Sequence, residues 1–344
     1  MKLLNRILLF LNLLIVAATL AAYAAPFVNP ASFWPFSFFG LIYPYLLLSN
    51  IIFIIIWVSI KHRFAFISGF VLIAGFPFVS ATVAINKPTV EVHNGIKLMS
   101  FNLNQGYYLY ENGIEKGELL NFLIISDPDI LLLQEYNSDY IKNELQPFKS
   151  HPNRLELPQI GTSIYSKFPY INSGEVEFNK GTNSCIWGDF LIGGDTIRIY
   201  SVHFQSNEVS KKAEEFVIAV EKERKFETEN VKGILRKYKH NVQLRASQVQ
   251  MVRDHIATSP YPVIIGGDFN DPPVSFAYRQ FNSFLTDSFR ERGFGTGITY
   301  HGVIPFLRID YIMISKQLEV IDFNVNKVKY SDHYPLETVF RKKI

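Results

Sequence analysis

For its first 86 residues this chain carries no acidic side chain, and its only charges there are Lys2, Arg6, Lys61 and Arg63. Such a stretch lacks the mixed charge that covers a soluble surface. Three uncharged apolar runs, at residues 7–25, 41–60 and 64–85, each approach the roughly 20 residues that cross a bilayer core. They predict about three transmembrane helices within residues 1–88. The segment from Trp34 to Tyr45 is rich in aromatics and proline, which suits a turn at the lipid–water interface. Gly69, Gly75 and Pro77 are better tolerated in a membrane span than in a water-exposed helix. Because Lys and Arg flanking a span tend to stay in the cytoplasm, Lys2, Arg6, Lys61 and Arg63 deliver the rest of the chain to the non-cytoplasmic face. The first run ends Ala21-Ala22-Tyr23-Ala24-Ala25 and also resembles a cleavable signal peptide. Cleavage would leave two helices and the same orientation.

From residue 92 the composition changes. Removing the four early cations from 34 Lys+Arg leaves 30 against 31 Asp+Glu, a formal charge of 30 − 31 = −1 for the remainder. No bulk basic footprint for nucleic acid is present, so net charge does not favour that partner. The single cysteine, Cys185, can form neither an internal disulfide nor a zinc cluster and reads as a small buried hydrophobe. Short β-rich runs are predicted at 96–103, 130–134, 161–165, 184–191, 196–204, 263–267, 311–314 and 318–325, with Gly, Pro, Asn and Asp between them. Helical patterns occupy 117–125, ended by Ser126-Asp127-Pro128, and parts of 209–256. This order predicts two packed sheets covered by helices rather than one alternating parallel sheet. The charge-dense stretch 208–245 reads as a solvated helix. A basic lip of Lys232, Arg236, Lys237 and Lys239 for an anionic headgroup or polymer is the alternative.

Five strand-like segments end in polar residues able to bind a hard cation or move a proton. They are Ser100-Phe101-Asn102-Leu103-Asn104, Leu133-Gln134-Glu135, Ser201-Val202-His203-Phe204, Gly266-Gly267-Asp268-Phe269-Asn270, and Arg308-Ile309-Asp310-Tyr311 paired with Ser331-Asp332-His333. One such end carries little information. In this order they resemble the endonuclease/exonuclease/phosphatase superfamily, the deoxyribonuclease I-like phosphoesterases, over roughly residues 97–340. The Gly-Gly-Asp-Phe-Asn, Arg-Ile-Asp-Tyr-Ile and Ser-Asp-His-Tyr-Pro series is the specific part, and the segment from Gly161 to Pro169 also looks like an internal motif of that family.

The resemblance implies a four-layer α/β sandwich with its active site at one rim, formed by a catalytic domain at residues 92–344. It implies Glu135 as the principal ligand of Mg²⁺ or Mn²⁺, with Asn102 close by and Asp332 contributing. Asp310 would hold His333 against the scissile phosphate, Asp268 would orient or deprotonate the attacking water, and Asn270 and His203 would donate to phosphoryl oxygens. Asn104 stands where some family nucleases carry Asp, so one metal is expected rather than two. Mg²⁺ suits such a set because it takes oxygen ligands and keeps waters and substrate phosphate in its octahedron. The expected activity is hydrolysis of a phosphodiester or phosphomonoester by a membrane-anchored enzyme. The alternatives are an extracytoplasmic nuclease and a non-catalytic binding protein on the same fold.

Overall fold

The computed structural model describes residues 3–60, 62–86, 95–136, 138–157, 161–178, 183–207, 228–302 and 304–343. Lys2, Lys61, the junction between the expected domains and most of the charged stretch at 208–227 lie outside the described residues.

The first apolar run forms one helix, α1 (Leu3–Ala24), which among the described residues is the one single helix long and apolar enough to cross a membrane. The other two expected spans are each broken. Helices α3 (Pro35–Leu41) and α4 (Tyr43–Ser59), which follow the short α2 (Pro30–Phe33), meet at 63°, while α5 (Ala65–Ala74) and α6 (Phe76–Thr82) meet at 76°. Up to three spans result only if each bent pair counts as one. Pro44 and Pro77 sit in the first turn of the second helix of each pair. There a missing N–H costs nothing, whereas inside a continuous helix the ring would clash with the preceding turn. The fold therefore restarts the helix at each proline. Leu3, Phe10, Ile55, Phe66, Phe70 and Ile73 are exposed on the outside of this bundle, and Asn12, Thr19, Asn50 and Ser68 are buried inside it.

Downstream, two six-stranded sheets pack face to face. One runs β13 (Leu318–Val325), β14 (Leu336–Lys342), β2 (Ile96–Asn102), β3 (Ile130–Gln134), β5 (Thr162–Ser166), β4 (Asn153–Leu157). The other runs β10 (Leu285–Asp287), β12 (Asp310–Ser315), β9 (Val263–Asp268), β8 (Asp195–His203), β7 (Ser184–Ile192), β6 (Tyr170–Glu175). A two-residue strand β1 (Ala84–Ile85) pairs with β11 (Phe294–Gly295), tying the end of the helical segment to the domain.

Between the sheets, Leu98, Ile130, Leu132 and Ile164 face Ile197, Ile199, Ile264, Ile312 and Ile314. Outside the first sheet, Met99, Phe101, Leu131 and Leu133 pack on α8 (Glu118–Ser126) and α9 (Asp139–Leu145), which come after the short α7 (Tyr107–Glu111). Outside the second, Tyr200, Val202 and Ile265 pack on α10 (Thr228–Ala257) and α11 (Phe276–Asn282), with α12 (Ser288–Arg292) at the sheet edge. This is the expected helix–sheet–sheet–helix sandwich. The near-continuous apolar sequences of β2, β3 and β9 follow from burial on both faces. The eight predicted strands are present with ends shifted by a residue or so, while the edge strands β4 and β6, the two- and three-residue strands β1, β10 and β11, and β14 are additional. Both parallel pairs, β2–β3 and β8–β9, point their carboxyl ends at the same rim, since Asn102 pairs with Gln134 and His203 with Asp268. Antiparallel β12 begins there, with Asp310 opposite Asp268.

Candidate active site

Asp268 ends β9, is 1% exposed, and lies at the centre of the rim. Its approach is set by Gly267, whose φ of 141° is closed to other residues and whose Cβ would fall 2.0 Å from the Val202 carbonyl oxygen on β8. The carboxylate accepts the Asn270 N–H at 2.8 Å, the Asn270 Nδ2 at 3.1 Å and the Asn102 Nδ2 at 3.0 Å. The His203 and His333 Nε2 atoms stand 3.7 Å and 3.8 Å from its Oδ2. Burial, and next to it the charge of Asp310, push Asp268 up to about 6, against the pull of His333 and His203.

His333 is buried, and its Nδ1 meets both oxygens of Asp310 at 3.1 Å and 2.9 Å. Burial opposes its protonation, yet Asp310 and Asp268 outweigh it and hold the imidazole well above its ordinary value. Asp310 is fixed in turn, because its N–H and that of Ile309 both donate to the Thr299 hydroxyl, at 3.2 Å and 3.0 Å. The Tyr300 ring packs edge-on against His333 at 5.1 Å.

Glu135 follows β3 with φ 52°, a left-handed conformation uncommon for a glutamate, and its side chain is 27% exposed. Its Oε1 lies 3.4 Å from Asn102 Nδ2 and 3.7 Å from His203 Nε2. Asn102, Glu135, His203, Asp268, Asn270, Asp310 and His333 thus form one connected cluster. Asp332 is adjacent: it accepts from the Ser331 hydroxyl at 3.3 Å, and its charge adds to the elevation of His333.

The tertiary structure gives the orientation of the amides and the spacing of the acids. Asn102 turns its nitrogen to the two carboxylates, and its oxygen accepts the Asn104 N–H at 2.9 Å. Asn270 uses its amide protons on Asp268 and on the Phe204 carbonyl, the latter at 2.9 Å, and so holds Asp268. Among the described residues, Asp268, Asp310 and His333 bring ligand atoms within 4.8 Å of one another.

Arg245 was not anticipated. It lies at the end of the stretch read as solvated, yet it is 1% exposed and donates to the Gln205 carbonyl, Asn207 Oδ1 and Asp271 Oδ1 at 2.7, 2.8 and 3.1 Å. Asn207 Nδ2 donates onward to the Asn270 carbonyl at 3.0 Å. A sequence signal existed: Asn241, Arg245 and Gln248 recur at helical spacing within the stripe of Val242, Val249 and Val252.

Residues 99–333, more than half of the 344, match the family model described as Endonuclease/Exonuclease/phosphatase family. The chain belongs to this family of hydrolases that act on phosphoester bonds. Residues 5–82 match a second model, described as Domain of unknown function (DUF8431). No curated protein matches the chain. Among solved structures, an endonuclease/exonuclease/phosphatase family protein from Bacteroides thetaiotaomicron is 16% identical, with TM-score 0.54, covering 74% of this chain and 100% of its own. The human Nocturnin catalytic domain is 17% identical, with TM-score 0.53, covering 75% and 100%. A mannosyl-6-phosphatase of Bacteroides thetaiotaomicron VPI-5482 is 16% identical, with TM-score 0.51, covering 72% and 99%. At these identities the likeness establishes the shared fold.

Proposed function

We propose that the chain is a membrane-anchored, divalent-metal-dependent phosphoesterase, with its anchor at residues 1–88 and its catalytic domain at 92–344 on the non-cytoplasmic face. The observation that carries this reading is the convergence of Glu135, His203, Asp268, Asp310 and His333 from five strand ends and loops onto one rim. The substrate is a phosphodiester or phosphomonoester, and water is the attacking group.

The donor chemistry fits a hard cation. Glu135 offers a partly exposed carboxylate with room for waters and substrate oxygen, which is how Mg²⁺ is usually held. The tighter Asp268, Asp310 and His333 group is a poorer holder, because a protonated imidazole cannot ligate and its Nδ1 already binds Asp310. Glu135, with Asp332 nearby, is therefore assigned to Mg²⁺ or Mn²⁺, which would polarise a phosphoryl oxygen when bound.

The remaining steps belong to the side chains. With its proton affinity raised to about 6, Asp268 can accept a proton from water near neutral pH. Asn102 and Asn270 keep its carboxylate aimed. His333, held cationic by Asp310, and His203 present N–H groups toward negative charge growing on the phosphoryl group.

Chelation should abolish turnover of a phosphodiester and phosphomonoester panel, and Mg²⁺ or Mn²⁺ should restore it; full activity after metal stripping refutes the assignment. In Glu135→Gln, part of the loss should return at high Mg²⁺. A reporter active only after export, fused after Ile344, should be active, and silence there would reverse the orientation. A nuclease is the second reading, favoured by a D. rerio TDP2 structure with single strand DNA product that shares the fold at TM-score 0.53. Single-stranded DNA belongs in the panel for that reason.

A further inference from the structure

The N-terminal helices touch the catalytic domain at the two loops that carry its central acids. After Asp268, residues 269–275 place the buried Val274 in one cluster with Ala22, Tyr43, Leu46 and Leu47. A Cβ on Gly40 of α3 would lie 2.3 Å from the Val274 carbonyl oxygen, so helix and loop meet backbone to backbone. Before Asp310, Leu307 and Ile309 share a cluster with Leu41 of α3. The Tyr45 hydroxyl donates to the Pro305 carbonyl at 2.6 Å. Arg308, 3% exposed, donates to the Ala81 carbonyl of α6 at 2.7 Å and to Asp287 at 3.0 Å. The two loops are joined by the Phe269 N–H, which donates to the Ile309 carbonyl at 2.8 Å.

From the helices to Asp268 and Asp310 there are therefore only a few residues of hydrogen-bonded, buried backbone. A membrane tether needs none of this, since a flexible linker would hold the domain at the surface equally well. We infer that the N-terminal helices are a positioning element of the active site, docked at Gly40–Val274 and Ala81–Arg308 so that Asp268 and Asp310 stay in register beside His333. This rests on the phosphoesterase reading for its kinetic consequence, though not for its structural one. Reacting groups displaced by about 1 Å can lose on the order of 10²-fold in rate, so a buttress on these loops acts on turnover. A domain begun near Val92 would leave Val274 without Ala22, Tyr43, Leu46 and Leu47, Leu307 and Ile309 without Leu41, and Arg308 without one of its acceptors.

The test compares full-length Gly40→Ala with Gly69→Ala in lipid nanodiscs. The Gly40 Cβ collides with the docked loop, whereas that of Gly69 meets nothing within 4 Å. Two readouts are used: hydrogen exchange at the amides of Phe269, Asn270, Ile309 and Asp310, and kcat and KM on a water-soluble nitrophenyl phosphodiester. Gly40→Ala should speed exchange at those amides about tenfold and lower kcat about tenfold with KM little changed, while Gly69→Ala matches the native chain. If Gly40→Ala does not accumulate folded, Tyr45→Phe decides, with exchange and kcat expected to move two- to fivefold, roughly the worth of one hydrogen bond. Native exchange and native kcat in the folded variant overturn the proposal. Should the native chain turn over no phosphoester at all, the phosphoesterase reading fails, and the exchange data alone still decide the positioning role.

Discussion

Asn12 in the helical segment and Asn102 at the sheet rim are both buried amides, yet their surroundings are opposite in character. Asn12 donates to the Ser68 hydroxyl at 2.7 Å and accepts from the Trp57 indole at 2.9 Å, while nearby Asn50 donates to the Thr19 hydroxyl at 2.8 Å. Every partner is neutral. Asn102 faces Asp268 and Glu135, with Asp310 behind and only two histidines to offset three carboxylates. Inside apolar surroundings an unpaired polar group is costly, and both the amide nitrogen and the oxygen of Asn12 are used to join helices. The second concentrates charge that its own members do not neutralise. Concentrated, partly desolvated charge of this kind is how a site acquires proton affinities suited to chemistry.

The largest effect should come from the charged cluster. Asp268→Asn or His333→Ala should lower kcat by about 10²-fold or more while the chain stays folded, because positioned proton transfer and charge stabilisation are each worth that much. Near-native turnover in either variant would erase the contrast. In the native chain, Asp268 must be deprotonated to act as base, so kcat should fall as pH drops through about 6. His333, held well above its ordinary value, should add no limb near neutrality. A rate profile flat from pH 5 to 8 would contradict the assignment of Asp268 as base, and a second limb near neutrality the assignment of His333.

A smaller effect belongs to the neutral cluster. Asn12→Leu removes the bonds to Ser68 and Trp57 and should weaken helix packing by about 0.6–1.7 kcal/mol, the range for interhelical hydrogen bonds in membranes. Thermal unfolding in detergent would register this. Turnover should stay within about twofold, because among the described residues Asn12, Ser68 and Trp57 bond to one another, whereas the contacts to the loops around Val274 and Arg308 come from other side chains. A tenfold loss of kcat in that variant would show the two clusters to be coupled.

His151 offers the finest test, as a neutral, satisfied group in the catalytic domain. Its Nδ1 accepts from the Ser150 hydroxyl at 2.9 Å and its Nε2 donates to the Pro128 carbonyl at 2.8 Å. Burial pushes it down to about 4. The unfolded chain therefore takes up this proton first as pH falls below the ordinary histidine value of about 6.5, and stability drains between there and about 4. Above 6.5 the contribution is fully present. Urea unfolding at pH 7 and pH 4.5 should show a loss that His151→Gln reduces; identical losses in both chains would place the acid sensitivity elsewhere.

The sequence alone determined the apolar character of the first 86 residues, the two-sheet architecture and the residues of the rim. Hydrophobic periodicity and strand-end chemistry are local signals, and β2, β3, β8, β9 and β12 each announce both an apolar run and its polar terminus. Even the breaks before α4 and α6 were written in Pro44 and Pro77, although a count of apolar residues passes over them. Only the tertiary structure decided which way each polar atom points. Asn102 and Asn270 became donors to Asp268 because their oxygens or protons were claimed by Asn104 and Phe204, neighbours set by backbone turns no residue pattern encodes. Arg245 reads as a surface charge until loops distant in sequence close over it and supply acceptors, and the acceptor of Arg308 on Ala81 likewise comes from far along the chain. Burial of a charge depends on what arrives from elsewhere in the chain, and that is a property of packing rather than of composition.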